Sequence, residues 1–228
     1  MKKLLKYIYP EICTLCTVNP SSENYLCTNC IRELEFTQSS DCPLCSSEVT
    51  GLLNLCHQCL ENKRPWSAGG APLKFSGTAR ELIHKYKYNS NLTLSRFLIG
   101  TMTEYIGDRD FPDIEWVTMV PMHWYKKFKR GFNQAEILAR GISENLELPC
   151  HNLLRRKNTS SSQALKTRRQ RQKNITHIFE VREKQKMPTG AILLIDDVMT
   201  TGATLAACTK ALTDAGAKEV YVLTAARG

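Results

Sequence analysis

The chain has 228 residues, 42% of them hydrophobic and 23% charged, which is enough apolar material for a packed core and excludes a globally disordered chain. Lys and Arg number 31 against 22 Asp and Glu; the resulting charge of +9 favours polyanionic partners, nucleic acid or phosphorylated ligands. Lys6 and Pro10 break the apolar run at the N-terminus, so we expect no signal peptide, no transmembrane segment and a cytoplasmic location.

Ten cysteines would suggest disulfides in an exported chain, but eight of them form Cys-x-x-Cys pairs, a pattern that points to metal in a reducing compartment. Cys13, Cys16, Cys27 and Cys30 make one unit, and Cys42, Cys45, Cys56 and Cys59 repeat it 29 residues later, with ten residues between the pairs of each unit. A Cys-x-x-Cys turn offers two thiolates, and two turns complete a tetrahedral site. Eight cysteines therefore suffice for two closed Cys₄ zinc sites, structural rather than catalytic because no coordination position stays open. Redox pairs and iron–sulfur clusters are the competing chemistries. Sequential pairing within each unit is the simplest arrangement; an interleaved cross-brace also fits the spacing. His57, inside the last pair, is not expected to be a ligand, and Cys150 and Cys208 read as ordinary semi-buried residues. A short helix is expected over 31–36.

Pro and Gly punctuate residues 61–70, which places a boundary there and divides the chain into a metal module, 1–65, and an α/β domain, 66–228. In that domain 71–75 reads as a short strand, and 78–88 and 92–106 carry apolar residues at helical spacing. Residues 116–120 form a strand ending at Pro121. The basic stretch 126–134 follows it. Next comes an amphipathic helix over 134–146, with Ile137, Leu138, Ile142 and Leu146 on one side. Residues 155–173 then hold Arg155, Arg156, Lys157, Lys166, Arg168, Arg169, Arg171 and Lys173 without one acid. A solvated face is the usual origin of such a run. Here ordered punctuation at 158–163 favours a flap that closes over a phosphorylated ligand or tracks a nucleic-acid backbone. Trp124, Phe128 and Phe132 near the first basic stretch can stack on bases or pack in the core.

The apolar run 191–195 reads as a strand buried on both faces. It delivers Asp196 and Asp197 to its C-terminal end, where open α/β sheets bind ligands. Thr200, Thr201, Gly202, Ala203 and Thr204 then make a small-residue turn into a helix, 205–215, stopped by Gly216. Free backbone N–H groups and the helix dipole favour a phosphate there, and Gly202 lets the backbone come close. With a last strand at 220–224 the region is a βαβ unit. Two adjacent acids at a buried strand end are costly without a ligand.

Four hydrophobics, two acids and Thr-Thr-Gly-Ala-Thr resemble the signature by which type I phosphoribosyltransferases bind phosphoribosyl pyrophosphate (PRPP). That resemblance implies that Asp196 and Asp197 contact the ribose hydroxyls and Thr200, Thr201, Gly202, Ala203 and Thr204 hold the 5′-phosphate. It also implies that Lys129 and Arg130 lie where a pyrophosphate loop sits, with Mg²⁺ bridging. Val120-Pro121, Arg130-Gly-Phe-Asn-Gln134, the Arg/Thr/Gln segment at 155–163 and the cysteine pairs extend the likeness over nearly the whole chain. Together they resemble the ComF family, which includes competence proteins of the ComFC type and GntX-type proteins. The resemblance implies a zinc-ribbon module before a phosphoribosyltransferase-like domain of mostly parallel sheet and flanking helices. For function it implies handling of single-stranded DNA in the cytoplasm during natural transformation, next to DNA-uptake machinery, with PRPP or a 5′-phosphorylated nucleotide in the pocket. A phosphoribosyltransferase acting on an amine or nucleobase, with Asp196 and Asp197 catalytic, is the alternative, and a PRPP-sensing regulator a third.

Overall fold

Residues 191–195 are all buried, and they run down the middle of a parallel sheet. The computed structural model describes residues 12–21, 25–50, 53–88, 92–109, 111–157, 178–182 and 187–228. The sheet contains strands β1 (Ala68–Gly70), β2 (Leu73–Lys74), β3 (Ile114–Met119), β6 (Ala191–Met199) and β7 (Glu219–Arg227). Their order is β1-β7-β6-β3, with β2 also on β7, and every pairing is parallel. β4 (Leu154–Arg156) and β5 (Phe179–Val181) form a separate antiparallel pair.

Side chains alternate across a strand, so β6 feeds two cores. Leu193 and Ile195 meet α3 (Gly77–Tyr88), α4 (Leu92–Asp108) and α6 (Gln134–Leu146) through Leu82, Ile83, Leu98, Met102, Leu138 and Ile142. Ile192 and Leu194 meet Leu205, Cys208 and Leu212 of α7 (Ala203–Asp214), together with Leu154 and Phe179 of the small sheet. The two cysteine units divide between these cores. Cys13, Cys27 and Cys30 pack in the first, and Cys42, Cys45, Cys56 and Cys59 in the second.

Several elements differ from the sequence expectation. The short helix expected over 31–36 is α1 (Thr28–Arg32), begun where the Cys27 thiol accepts from the Cys30 amide at 3.4 Å. A second short helix, α2 (His57–Glu61), follows Cys56 in the other unit. The glycine-rich boundary holds an edge strand, β1, and not only a linker. A Cβ on Gly70 would stand 2.2 Å from Ser46 Oγ and 2.1 Å from the Tyr105 hydroxyl, so glycine there lets the second cysteine unit lie against the strand. The basic stretch after β3 is a helix, α5 (Trp124–Arg130), stopped by Gly131 at φ +81°. Its sequence has no internal Gly or Pro to break the turn. β6 runs four residues past the expected end because β7 continues to pair with it as far as Met199 opposite Arg227.

Candidate functional site

The site arises because β3 stops before β6 does. Its last partner is Ile195, opposite Met119, and Val120 N–H closes on the Ile195 carbonyl at 2.9 Å. Residues 196–199 therefore keep a neighbour only on the β7 side among the sheet strands. Asp196 and Asp197 stand at this step, both partly buried. Asp196 Oδ1 accepts from the Asp197 amide at 2.9 Å. Burial, and then the neighbouring Asp197 charge, push the Asp196 carboxyl up to about 8. Asp197 instead meets Lys87 Nζ at 2.8 Å, with the two side chains 15% and 21% exposed.

Lys87 is held there by the motif at 130–134. Buried Gln134 donates to the Lys87 carbonyl at 3.2 Å and accepts on its own carbonyl from the Tyr86 hydroxyl at 2.8 Å. Asn133 donates to the Val120 carbonyl at 3.2 Å. Arg130 donates to Gln134 Oε1 at 3.3 Å and to the Tyr88 hydroxyl at 3.0 Å, its guanidinium 4.6 Å from the Tyr88 ring. The motif thus ties the end of α3 to the start of α6 and aims Lys87 at the acid pair. Sequence reasoning passed over Lys87. A lysine in the last turn of a helix carries no local sign of such a partner.

The loop 200–204 is shaped from behind by two arginines. Arg227 Nη1 donates to the carbonyls of Met199 at 3.2 Å and Thr200 at 2.6 Å, and Arg64 Nη1 to that of Thr201 at 2.7 Å. A trans peptide points its N–H opposite its C=O. Fixing these three carbonyls on one side turns the N–H groups of Thr200, Thr201 and Gly202 to the other. Among the described residues none of these three N–H groups has an acceptor. Three outward amides before the first turn of a helix form an anion nest. Thr201 Oγ1 accepts from Ala203 N–H at 3.3 Å, and Thr200 and Thr204 are exposed. Arg64 and Arg227 were likewise not singled out from the sequence.

Gly202 is required twice. Its φ is +77°, and a Cβ would lie 2.8 Å from Arg64 Nη1 and 3.0 Å from Trp66 Cη2. Gly202→Ala is expected to lower stability by about 1–3 kcal/mol through left-handed strain and displacement of Arg64. Thermal melts check the cost, and unchanged melting would contradict the geometry.

Of the remaining expected residues, Arg155 pairs with Glu180 at 2.8 Å and Arg156 stacks over Phe179 at 5.8 Å. The acid-free run thus begins as a strand, β4, that finds its acid on β5. Lys166, Arg168, Arg169 and Arg171 lie outside the described residues, as does the Lys129 side chain. Phe132 is partly buried against the first core, whereas Trp124, Tyr125 and Phe128 are exposed.

The eight cysteines gather by unit, sequentially and not interleaved: Cys13, Cys16, Cys27 and Cys30 in one group, Cys42, Cys45, Cys56 and Cys59 in the other, with all ligand atoms of a group within 4.8 Å. Sulfurs lie 3.8 Å apart in the first (Cys13–Cys30, Cys16–Cys27) and 3.5 Å in the second (Cys45–Cys56, Cys45–Cys59). A tetrahedron of Zn–S bonds near 2.3 Å requires about 3.8 Å between sulfurs, so both groups fit zinc. N–H donors already face the thiolates, Asn19 towards Cys16 and Cys27 and Arg64 towards Cys59. His57 stays outside, 83% exposed beside Glu61. Cys208 is fully buried rather than semi-buried, since α7 places it under the sheet.

Residues 4–60 match the family model described as "Double zinc ribbon domain". The two groups are therefore structural zinc sites. Competence protein F of Haemophilus influenzae is 27% identical, over 90% of this chain and 92% of its own. The chain is thus similar, over nearly its whole length, to competence proteins of the ComF type. DNA utilization protein YhgH of Escherichia coli is 25% identical, over 93% of this chain and 95% of its own. Among solved structures, glutamine PRPP amidotransferase from B. subtilis, complexed with ADP and GMP, aligns at TM-score 0.42 and 16% identity. That alignment covers 62% of this chain but 30% of the amidotransferase. Among the described residues no helix is long and apolar enough to cross a membrane.

Proposed function

We propose that this protein handles single-stranded DNA in the cytoplasm during natural transformation, and that its anion nest takes the 5′-phosphate of a ribose, in PRPP or at a nucleotide end. The observation that carries the pocket is the trio of outward amides at Thr200, Thr201 and Gly202, next to two carboxylates at a strand end. Asp196 and Asp197 would accept from the 2′- and 3′-hydroxyls. Lys87 would then be free to exchange Asp197 for a phosphate oxygen, and Mg²⁺ bound with the ligand would supply charge to offset the pyrophosphate. The names of the relatives, a competence protein and a DNA utilization protein, support the DNA role.

Calorimetry with PRPP–Mg²⁺ on wild type and on Asp196→Ala tests the pocket. Heat is expected in the wild type and not in the variant; a wild type without heat would sink the reading. Release of pyrophosphate on adding an amine or nucleobase would instead favour a phosphoribosyltransferase.

Helix α5 supports the DNA reading. Trp124 is 64%, Tyr125 58% and Phe128 84% exposed, interleaved in sequence with Lys126, Lys127, Lys129 and Arg130. Exposed rings among cations suit stacking on successive bases of a single strand. Trp124→Ala with Phe128→Ala is expected to weaken binding of a labelled oligo-dT by at least about tenfold, since each stacked base contributes about 1–3 kcal/mol. Fluorescence anisotropy reads this, with PRPP affinity unchanged; equal DNA affinity in the variant would remove α5 from the interface.

A further inference from the structure

The side chain that holds the Thr201 carbonyl also touches the second zinc site. Arg64 Nε lies 3.3 Å from Cys59 Sγ, Nη2 donates to Gln58 Oε1 at 3.2 Å, and Nη1 donates to the Thr201 carbonyl at 2.7 Å. Its guanidinium stacks 5.2 Å from Trp66, whose Nε1 donates to the Leu44 carbonyl, between Cys42 and Cys45, at 2.8 Å. Gln58 Oε1 receives a second arginine, Arg227 Nη2, at 2.8 Å, and that arginine holds the next carbonyls back along the loop. Gln58 and Cys59 are consecutive residues of α2. One turn of the second ribbon therefore anchors both guanidinium groups that orient carbonyls 199–201.

We propose that Arg64 is a positioning residue coupling the second zinc site to the phosphate loop, so that the loop keeps its outward amides only while that site is intact. A planar fork with five donors can meet a thiolate, an amide oxygen and a carbonyl at once; an ammonium on a flexible stem cannot hold all three. The thiolate of a closed Cys₄ site is fixed by its metal, which gives the fork a rigid base. Without the fork, the Thr201 peptide is free to rotate and its neighbouring amides leave the nest. The coupling deepens the ribose-phosphate reading and, for its effect on binding, rests on it.

The test uses the full chain as wild type, Arg64→Ala and Arg64→Lys, the latter keeping a charge beside Cys59 but not the fork. Zinc per chain is counted by mass spectrometry. Amide order parameters at 200–203 are measured by NMR, with β6 and α7 as internal references. The expected result is two zinc ions in all three proteins, with loop order parameters falling from about 0.85 to below about 0.6 in the variants. PRPP–Mg²⁺ affinity should fall about tenfold, as expected for loss of a charged hydrogen bond. A loop as ordered as the wild type in either variant would overturn the coupling. So would zinc loss from both variants, since Arg64 would then support the metal site alone. A loop that loosens in the variants of a protein that never binds PRPP would keep the coupling and reject the ribose-phosphate reading. Unchanged loop order with wild-type PRPP binding would do the reverse.

Discussion

Stripping zinc with a strong chelator under reducing conditions is expected to unfold this protein as a whole, rather than its first sixty residues alone. Structural zinc contributes about 10 kcal/mol or more in small domains, comparable with the whole net stability of about 5–15 kcal/mol. The effect spreads because neither ribbon is a separate bead. Cys13, Cys27 and Cys30 share a core with Leu82, Leu138 and Leu193, and Cys42, Cys45, Cys56 and Cys59 share the other with Leu194, Leu205 and Val222. Without metal, four thiols meet in each core with no cation to balance ionised sulfur. The two sites should also differ in rate. Cys16 is partly exposed, whereas all four cysteines of the second group are buried, so the first zinc to leave should be that of the first group. Circular dichroism followed against zinc released gives the order. A chelated chain that still melts cooperatively at the wild-type temperature would contradict the shared-core argument.

The second large effect is expected at Asp196. Its carboxyl is pushed up to about 8 from an ordinary 3.8, first by burial and then by the Asp197 charge. A folded-state value above the unfolded one means that the native protein keeps a proton the unfolded chain has already released. Stability from this group therefore falls as pH rises from about 4 to about 8, and levels off above that. Asp196→Asn cannot ionise. It should match the wild type near pH 4 and exceed it by several kcal/mol near pH 8, at about 1.4 kcal/mol for each pH unit between the two values, while losing ligand binding. Denaturant melts across the range check this, and a variant less stable than wild type at pH 8 would refute it. A ribose hydroxyl donating to the carboxylate would draw its pKa down. PRPP binding near pH 7 should accordingly release a proton, seen as a dependence of the calorimetric heat on the ionisation enthalpy of the buffer. A site that weakens the unliganded protein while serving its ligand is the usual trade between stability and function.

Local chemistry was legible in the sequence where the signal is short in range. The Cys-x-x-Cys spacing announces metal, and the small-residue turn after two acids marks the loop proposed to bind an anion, because ligands and loop amides lie within one turn of chain. Helix α6 appears with the bounds its apolar spacing predicts, since it has one buried face. Strand ends were less legible. Nothing inside 191–199 tells where β3 stops, and that stop is what exposes the acid pair. The basic stretches were read for charge alone. One became a helix because nothing in it breaks the turn, and the other opened as a strand whose acid partner, Glu180, lies on β5.

The loop at 200–204 and the eight cysteines were thus determined by the sequence itself, down to the residues, but as two independent features. Only the tertiary structure decided that they meet. Arg64 lies 137 residues from Thr201 and Arg227 lies 169 from Gln58, so neither contact leaves a periodic or local mark in the chain. The same holds for Lys87 on Asp197, and for the assignment of each ribbon to its own face of the sheet. The sequence specifies the zinc-binding cysteines and the residues of the proposed phosphate loop. Arg64 and Arg227, both anchored on the second ribbon, orient the loop peptides after β6, because a peptide's N–H direction follows from what holds its carbonyl.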